Sequence, residues 1–266
     1  MDNKRFETIL IERQGEQGEV LVVILNRPEV MNAFNTRMMG ELEALFREKS
    51  ADSSLRAVVL AGAGGRAFCT GADLKERQEM SDEAWRAQHR LLERMFLEVK
   101  NFPVPVIAAV EGYALAGGLE LALMADFIVA SETARFGLTE LRRGILPGGG
   151  GLQSLPRAIG VRRAKELVYT GRLLDAQEAL AWGLVNRVVP AGQALEAALG
   201  VVREIVKSAP IPVRLAKVAI SRGSEVDFDT GYALDLAAYE AIIGTEDRRE
   251  GVAAFNEKRQ PQWRNR

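Results

Sequence analysis

Gly112–Phe127 reads GYALAGGLELALMADF, an apolar, glycine-rich run broken by two acids, Glu120 and Asp126. Gly117-Gly118 precedes a helix expected over 119–125. Glycines at a helix start let the backbone come close to a ligand and leave unpaired N–H groups facing it. Leu119, Leu121, Ala122, Leu123 and Met124 leave that helix almost no polar face, and a helix apolar all round is buried. Glu120, in its first turn, is therefore a carboxylate carried into a dry place. Burial without a partner raises a carboxyl pKa, by up to about 3–5 pH units when complete. An acid tuned toward neutrality suits general acid–base work. The plainer alternative is a solvated first-turn acid favoured by the helix dipole.

The flanks of this run set the fold class. Val106–Val110 before it and Phe127–Ala130 after it are short buried-type strands. Upstream, Phe6–Glu12, Val20–Leu25 and Arg56–Ala61 read as strands, with a helix from Asn35 or Thr36 to Lys49 and another from Ser81 to Lys100. Alternating strands and helices predict an α/β domain with mostly parallel strands. From about Arg163 the pattern turns helical, with segments near 193–208, 211–222, 229–242 and 248–257. The natural division is an α/β core over 1–200 and a helical region over 201–266 that needs something to pack against.

Composition closes several doors. The 266 residues carry a net charge of −1, so no general attraction to nucleic acid or anionic membrane is built in. One cysteine, Cys69, and one histidine, His89, make neither a disulfide nor a zinc site. No long uncharged apolar run and no leader-like N-terminus appear, which predicts a soluble, cytoplasmic protein. Gly62–Ala67 matches G-x-G-x-x-A, but the chain continues as a loop through Phe68–Gly71 where a dinucleotide site needs a helix. Gly148–Gly151 lacks the G-K-[ST] ending of a phosphate loop and reads as backbone room. His89 lies among Arg86, Arg90 and Arg94 and reads as a solvated surface residue, and Cys69 as a small buried hydrophobe.

Two further pieces sit in FCTGADLKE and FGLTELRRGILPGGGGLQSLPRAIG. Glu140 on its own is a surface acid pairing with Arg142 or Arg143, and Gly71 frees the backbone before a helical turn at Ala72–Lys75. Taken with PVPVIAAVEGYALAGGLELALMADFIVA and DRREGVAAFNEKRQP, these stretches resemble the crotonase superfamily, specifically enoyl-CoA hydratases, nearly end to end.

The resemblance implies a spiral of ββα turns with a C-terminal helical trimerisation region, and trimers paired into a homohexamer. It implies an acyl-CoA substrate, with coenzyme A part of that substrate and no separate cofactor or metal. An oxyanion hole would use the backbone N–H groups of Ala72 and Gly117, and two acids, Glu120 and Glu140, would grip one water. Glu120 would help deprotonate it for attack at C3, while Glu140 supplies the proton to C2. Coenzyme A contacts would fall on Ala72, Asp73, Leu74, Lys75 and Gly117, and on Phe255 and Lys258. The family loop often has three glycines where this chain has Ala116 before Gly117-Gly118. GRAFCTGADLKER, SEVDFDTG and TEDRREGVAAFNEKRQPQW look most like 3-methylglutaconyl-CoA hydratases, ADFIVA and ALAWGLVNRVV also like carnitinyl-CoA dehydratases. A branched dicarboxylyl substrate would need a cation at its acyl end, with Arg77 and Arg142 the candidates nearest in sequence. Some methylglutaconyl-type relatives bind RNA through a lysine-rich first helix. Here Arg37, Arg47 and Lys49 face Glu41, Glu43 and Glu48, leaving no basic stripe.

Overall fold

The computed structural model describes residues 6–266. In chain order the elements are β1 (Ile9–Gln14), β2 (Val20–Leu25), α1 (Thr36–Lys49), β3 (Ala57–Gly62), β4 (Ala67–Cys69), α2 (Leu74–Gln78) and α3 (Asp82–Lys100). Then come β5 (Val106–Val110), β6 (Tyr113–Leu115), α4 (Gly117–Met124), β7 (Phe127–Ser131), β8 (Arg135–Gly137), α5 (Gly151–Ile159), α6 (Val161–Thr170) and β9 (Leu174–Asp175). The chain ends with α7 (Ala176–Trp182), β10 (Arg187–Val189), α8 (Ala194–Ile205), α9 (Pro210–Gly223), α10 (Phe228–Ile243) and α11 (Glu246–Glu257).

Two sheets share the strands. A six-stranded sheet runs β1-β2-β3-β5-β7-β10, parallel except for the antiparallel β1–β2 pair. A four-stranded sheet runs β4-β6-β8-β9, with β4, β6 and β8 parallel. Each of the pairs β3–β4, β5–β6 and β7–β8 thus contributes one strand to each sheet, in the same order. This is the expected spiral of ββα turns. The hydrophobic core lies between the sheets and under α1 and α3, with Phe34, Phe46, Phe68, Phe96, Phe102 and Phe136 at its heart. A second apolar layer sets Ala194, Ala198, Leu199 and Val202 of α8 on the outer face of the large sheet. The expected division at residue 200 therefore falls inside α8, a helix that packs with the core.

Side chains set the helix limits where the sequence suggested. Asn35 accepts the Met38 N–H at 2.9 Å, and Ser81 accepts the Ala84 N–H at 3.2 Å. The first strand begins at Ile9, later than expected, after Thr8 and Glu7 give their N–H groups to Glu41 of α1. No helix begins in the Gly62–Ala67 turn, which leads into β4.

Helices α9–α11 are held to the rest mainly by polar ties. Lys217 pairs with Asp126 at 2.8 Å and donates to Val104 O at 2.9 Å. The Trp263 indole donates to Lys207 O at 2.8 Å. Asp247 gathers the N–H groups of Arg264 and Asn265. Large apolar side chains stay uncovered: Ile220, Phe228, Tyr239 and Phe255 are 66–84% exposed. Among the described residues no helix is long and apolar enough to cross a membrane.

Candidate active site

The C-terminal ends of β4, β6 and β8, three adjacent parallel strands, deliver the predicted residues to one place. After β4 the chain turns through Gly71 to Ala72. Phe34 bridges this segment in parallel: its N–H donates to Gly71 O and it accepts the Asp73 N–H, both at 2.7 Å. In a parallel bridge the residue between those two bonds directs its own N–H the opposite way. The Ala72 N–H therefore points away from Phe34.

After β6 comes Ala116 with φ 51° and ψ −128°, a conformation glycine adopts freely and alanine rarely. It swings Gly117 into the first position of α4, where an N–H has no intrahelical acceptor. The two loops meet: a Cβ on Gly71 would lie 2.9 Å from Gly117 N and 2.9 Å from Ala116 Cβ. One residue along, a Cβ on Gly118 would enter the van der Waals shell of Cys69 O. Small residues here are a packing requirement that lets the loops carrying Ala72 and Gly117 touch.

Glu120 is buried on α4, as its apolar neighbours implied. Its Oε1 accepts the N–H groups of Gly149 and Gly151, each at 2.8 Å. Gly151 opens α5, so the carboxyl also meets the positive end of that helix. Burial raises its pKa and outweighs the glycine N–H groups, which favour the charged form. A Cβ on Gly151 would stand 2.9 Å from Glu120 Cγ. The Gly148–Gly151 run thus seats the acid, a role its reading as backbone room missed. The legible signal was a helix start with no side-chain cap and a row of free N–H groups, the arrangement that binds anions.

Glu140 follows β8 in a short 3-10 turn, Glu140–Arg143. It is buried, and Arg142 and Arg143 make their hydrogen bonds elsewhere, contrary to the surface-pair alternative. Arg143 donates to Thr139, and Arg142 to Thr170 O at 2.8 Å. Glu140 Oε2 is enclosed without a hydrogen-bond partner. Burial first, and then the charge of Glu120, push this carboxyl up to about 7. Two buried acids, one of which feels the other's charge, can hold and divide a proton.

The remaining candidates are sorted by their partners. Asp73 caps α2 by accepting the Lys75 and Glu76 N–H groups and pairs with Arg27 at 2.9 Å. Burial alone would raise its pKa, but these partners hold it below the usual carboxylate range. Leu74 and Lys75 are exposed on α2 beside Ala72, leaving both side chains accessible. Phe255 and Lys258 are exposed at the end of α11, and among the described residues no hydrogen bond or ion pair links them to 72–75 or 117. Cys69 is fully buried, its thiol pushed up to about 12 by burial. His89 is less solvated than expected: it contacts Glu93 at 3.1 Å, and a Cβ on Gly148 would lie 2.5 Å from its Cε1.

Residues 15–266 match the family model described as enoyl-CoA hydratase/isomerase. The chain is 44% identical over 253 residues to a mouse mitochondrial protein named enoyl-CoA hydratase domain-containing protein 2, covering 94% of this chain and 86% of that one. It is 41% identical to the mouse mitochondrial methylglutaconyl-CoA hydratase, with 94% and 81% covered. It is likewise 41% identical to a short-chain-enoyl-CoA hydratase of Clostridium acetobutylicum, with 92% and 94% covered. Among solved structures, an enoyl-CoA hydratase from Bacillus anthracis superposes with a TM-score of 0.95 at 44% identity, covering 98% of this chain and all of that one. The chain belongs to the enoyl-CoA hydratase/isomerase family, within the crotonase superfamily, and is an enzyme of the hydro-lyase class.

Proposed function

We propose that the protein adds water reversibly across the C2=C3 bond of a 2-enoyl-CoA thioester. The observation that carries this reading is the enclosed, partnerless Oε2 of Glu140 beside a second buried acid. A buried polar atom without a partner is costly unless a ligand or water satisfies it.

In this mechanism the thioester oxygen sits between the N–H groups of Ala72 and Gly117. Negative charge that develops there is stabilised by donors already in place, each worth about 10²–10³ in rate. Glu120, ionised and steadied by Gly149 and Gly151, takes a proton from the water held between the acids. The water oxygen bonds to C3, the π electrons move toward the thioester, and protonated Glu140 gives its proton to C2. The proton then passes from Glu120 to Glu140, and dehydration runs the same steps backwards. The acids titrate as a coupled pair.

The Ala72–Lys75 segment would hold the coenzyme A portion. Phe255 and Lys258 would complete that site from a neighbouring protomer, because in their own they lie unlinked to it. The uncovered faces of α9–α11 support assembly into trimers and a dimer of trimers. The relatives' names divide between short-chain and methylglutaconyl substrates, and carnitinyl-type specificity is the third alternative.

A hydration assay with crotonyl-CoA, 3-methylglutaconyl-CoA and crotonobetainyl-CoA, run on wild type, Glu120→Gln and Glu140→Gln, tests the reading. Turnover by wild type with at least a 100-fold loss in both variants is expected. Near-full activity in either variant, or no turnover of any substrate, refutes it.

A further inference from the structure

Arg27 follows β2 and reaches the segment that carries Ala72. Its main chain is fixed first. Asn32, fully buried, accepts the Arg27 N–H at its Oδ1 and gives its own N–H to Arg27 O, both at 2.9 Å. Asn32 Nδ2 then donates to Ala63 O at 3.0 Å and to Ala67 O at 2.8 Å, tying this loop to the turn before β4. From that base the guanidinium forks. Nη1 donates to Ala33 O at 2.6 Å, and Nη2 to Asp73 Oδ2 at 2.9 Å. The paired side chains are only 17% and 14% exposed. Ala33 precedes Phe34 and Asp73 follows Ala72, so one planar group clamps both chains of the Phe34–Ala72 bridge.

Asp73 passes that hold to the backbone. Its Oδ1 accepts the Lys75 N–H at 3.1 Å and the Glu76 N–H at 3.4 Å, while its own N–H donates to Phe34 O. The Ala72 unit lies between Gly71 O and Asp73 N, both bonded to Phe34, and the clamp keeps those two bonds in register. We propose that Arg27 is a positioning residue for the reaction: through Asp73 and Ala33 O it fixes the direction of the Ala72 N–H. The inference rests on the hydration reading above, in which that N–H meets the thioester oxygen. A displacement of about 1 Å in a site can cost about 10²-fold in rate. Losing an oxyanion donor outright costs about 10²–10³. A fork that bonds two acceptors at once sets direction as well as distance, which a lysine in its place cannot do.

The test reads the thioester carbonyl directly. Butyryl-CoA, saturated and so unable to be hydrated, is isotope-labelled at that carbonyl, and its infrared C=O stretch is compared free and bound to saturation. Hydrogen bonds to the oxygen lower the stretch. Wild type should lower it on binding, and Arg27→Met should return at least half of that shift. In the same variant kcat for crotonyl-CoA should fall about 10–100-fold with KM changed within about threefold, and Arg27→Lys should lie between. Combining Arg27→Met with Asp73→Asn should cost no more than the worse single variant, because one clamp is broken once. Lys217→Met, which breaks the buried pair with Asp126 instead, should leave the stretch at its wild-type value. A wild-type shift that Arg27→Met preserves, or that Lys217→Met abolishes equally, overturns this inference alone. No shift in wild type overturns the oxyanion reading and this inference with it. Should Arg27→Met not fold, Arg27→Lys and Asp73→Asn carry the same readout.

Discussion

Glu140→Gln should make the protein inactive and, at alkaline pH, more stable. Burial and the neighbouring Glu120 move the Glu140 carboxyl from 4.5 to about 7. Between those values the folded chain keeps a proton that the unfolded chain has released, so stability falls as pH rises through the window and levels off above about 7. The full penalty is roughly 3 kcal/mol, at about 1.4 kcal/mol per pH unit. A glutamine keeps the shape of the protonated acid, never ionises, and relieves Glu120 of a like charge. At pH 5 under about 1 kcal/mol of the penalty is present; at pH 8.5 nearly all of it is. With about 2.1 cal/mol/K of unfolding entropy per residue, the 266-residue chain converts that difference into about 4–5 °C. Scanning calorimetry at pH 5 and 8.5, at one protein concentration, should show the variant's Tm advantage widening by that amount. An advantage that is constant, or that shrinks with rising pH, would refute the reasoning that Glu140 is buried with an elevated pKa.

The wild-type pH profile of kcat/KM in the hydration direction should descend above about pH 7, as the pair loses the proton that Glu140 supplies to C2; a flat profile to pH 9 contradicts that assignment. Ala116→Gly removes the strain of φ 51° and should stabilise the fold by about 1 kcal/mol, read as a higher midpoint in urea. Gly151→Ala places a Cβ 2.9 Å from Glu120 Cγ, so kcat should fall at least tenfold while substrate KM changes little. Charging the uncovered tail with Phe228→Asp and Tyr239→Asp should shift sedimentation toward smaller species, and an unchanged coefficient would remove those side chains from the interface.

Much of the architecture was readable because local pattern and tertiary demand agree. Val20–Leu25 and Val106–Val110 are runs of β-branched and small apolar residues buried on both faces, and they form strands at the limits their patterns suggest. Asn35 and Ser81 cap the helices they precede. The three-residue strands β4, β6 and β8 were not readable. Too short to show a period, they exist because the spiral places neighbouring backbones beside them. Glu120 announced itself through its apolar helix. Glu140 did not, because the arginines after it suggest a surface pair, and only the fold sends them to Thr139 and Thr170 instead.

The sequence by itself pointed to a buried helix, expected over 119–125 and found over Gly117–Met124, carrying an acid in its first turn, since helix period and side-chain polarity are local properties. Its motifs, in their order, were enough for the family resemblance. Only the tertiary structure decided what that acid meets. The glycine run at 148–151, about thirty residues away, supplies its N–H partners. The loops that carry Ala72 and Gly117 touch because Gly71 has no side chain. Glu140 keeps an unsatisfied oxygen because the surrounding chain encloses it. Each depends on the distance between backbones that are remote in sequence, and that distance is set by how the two sheets pack.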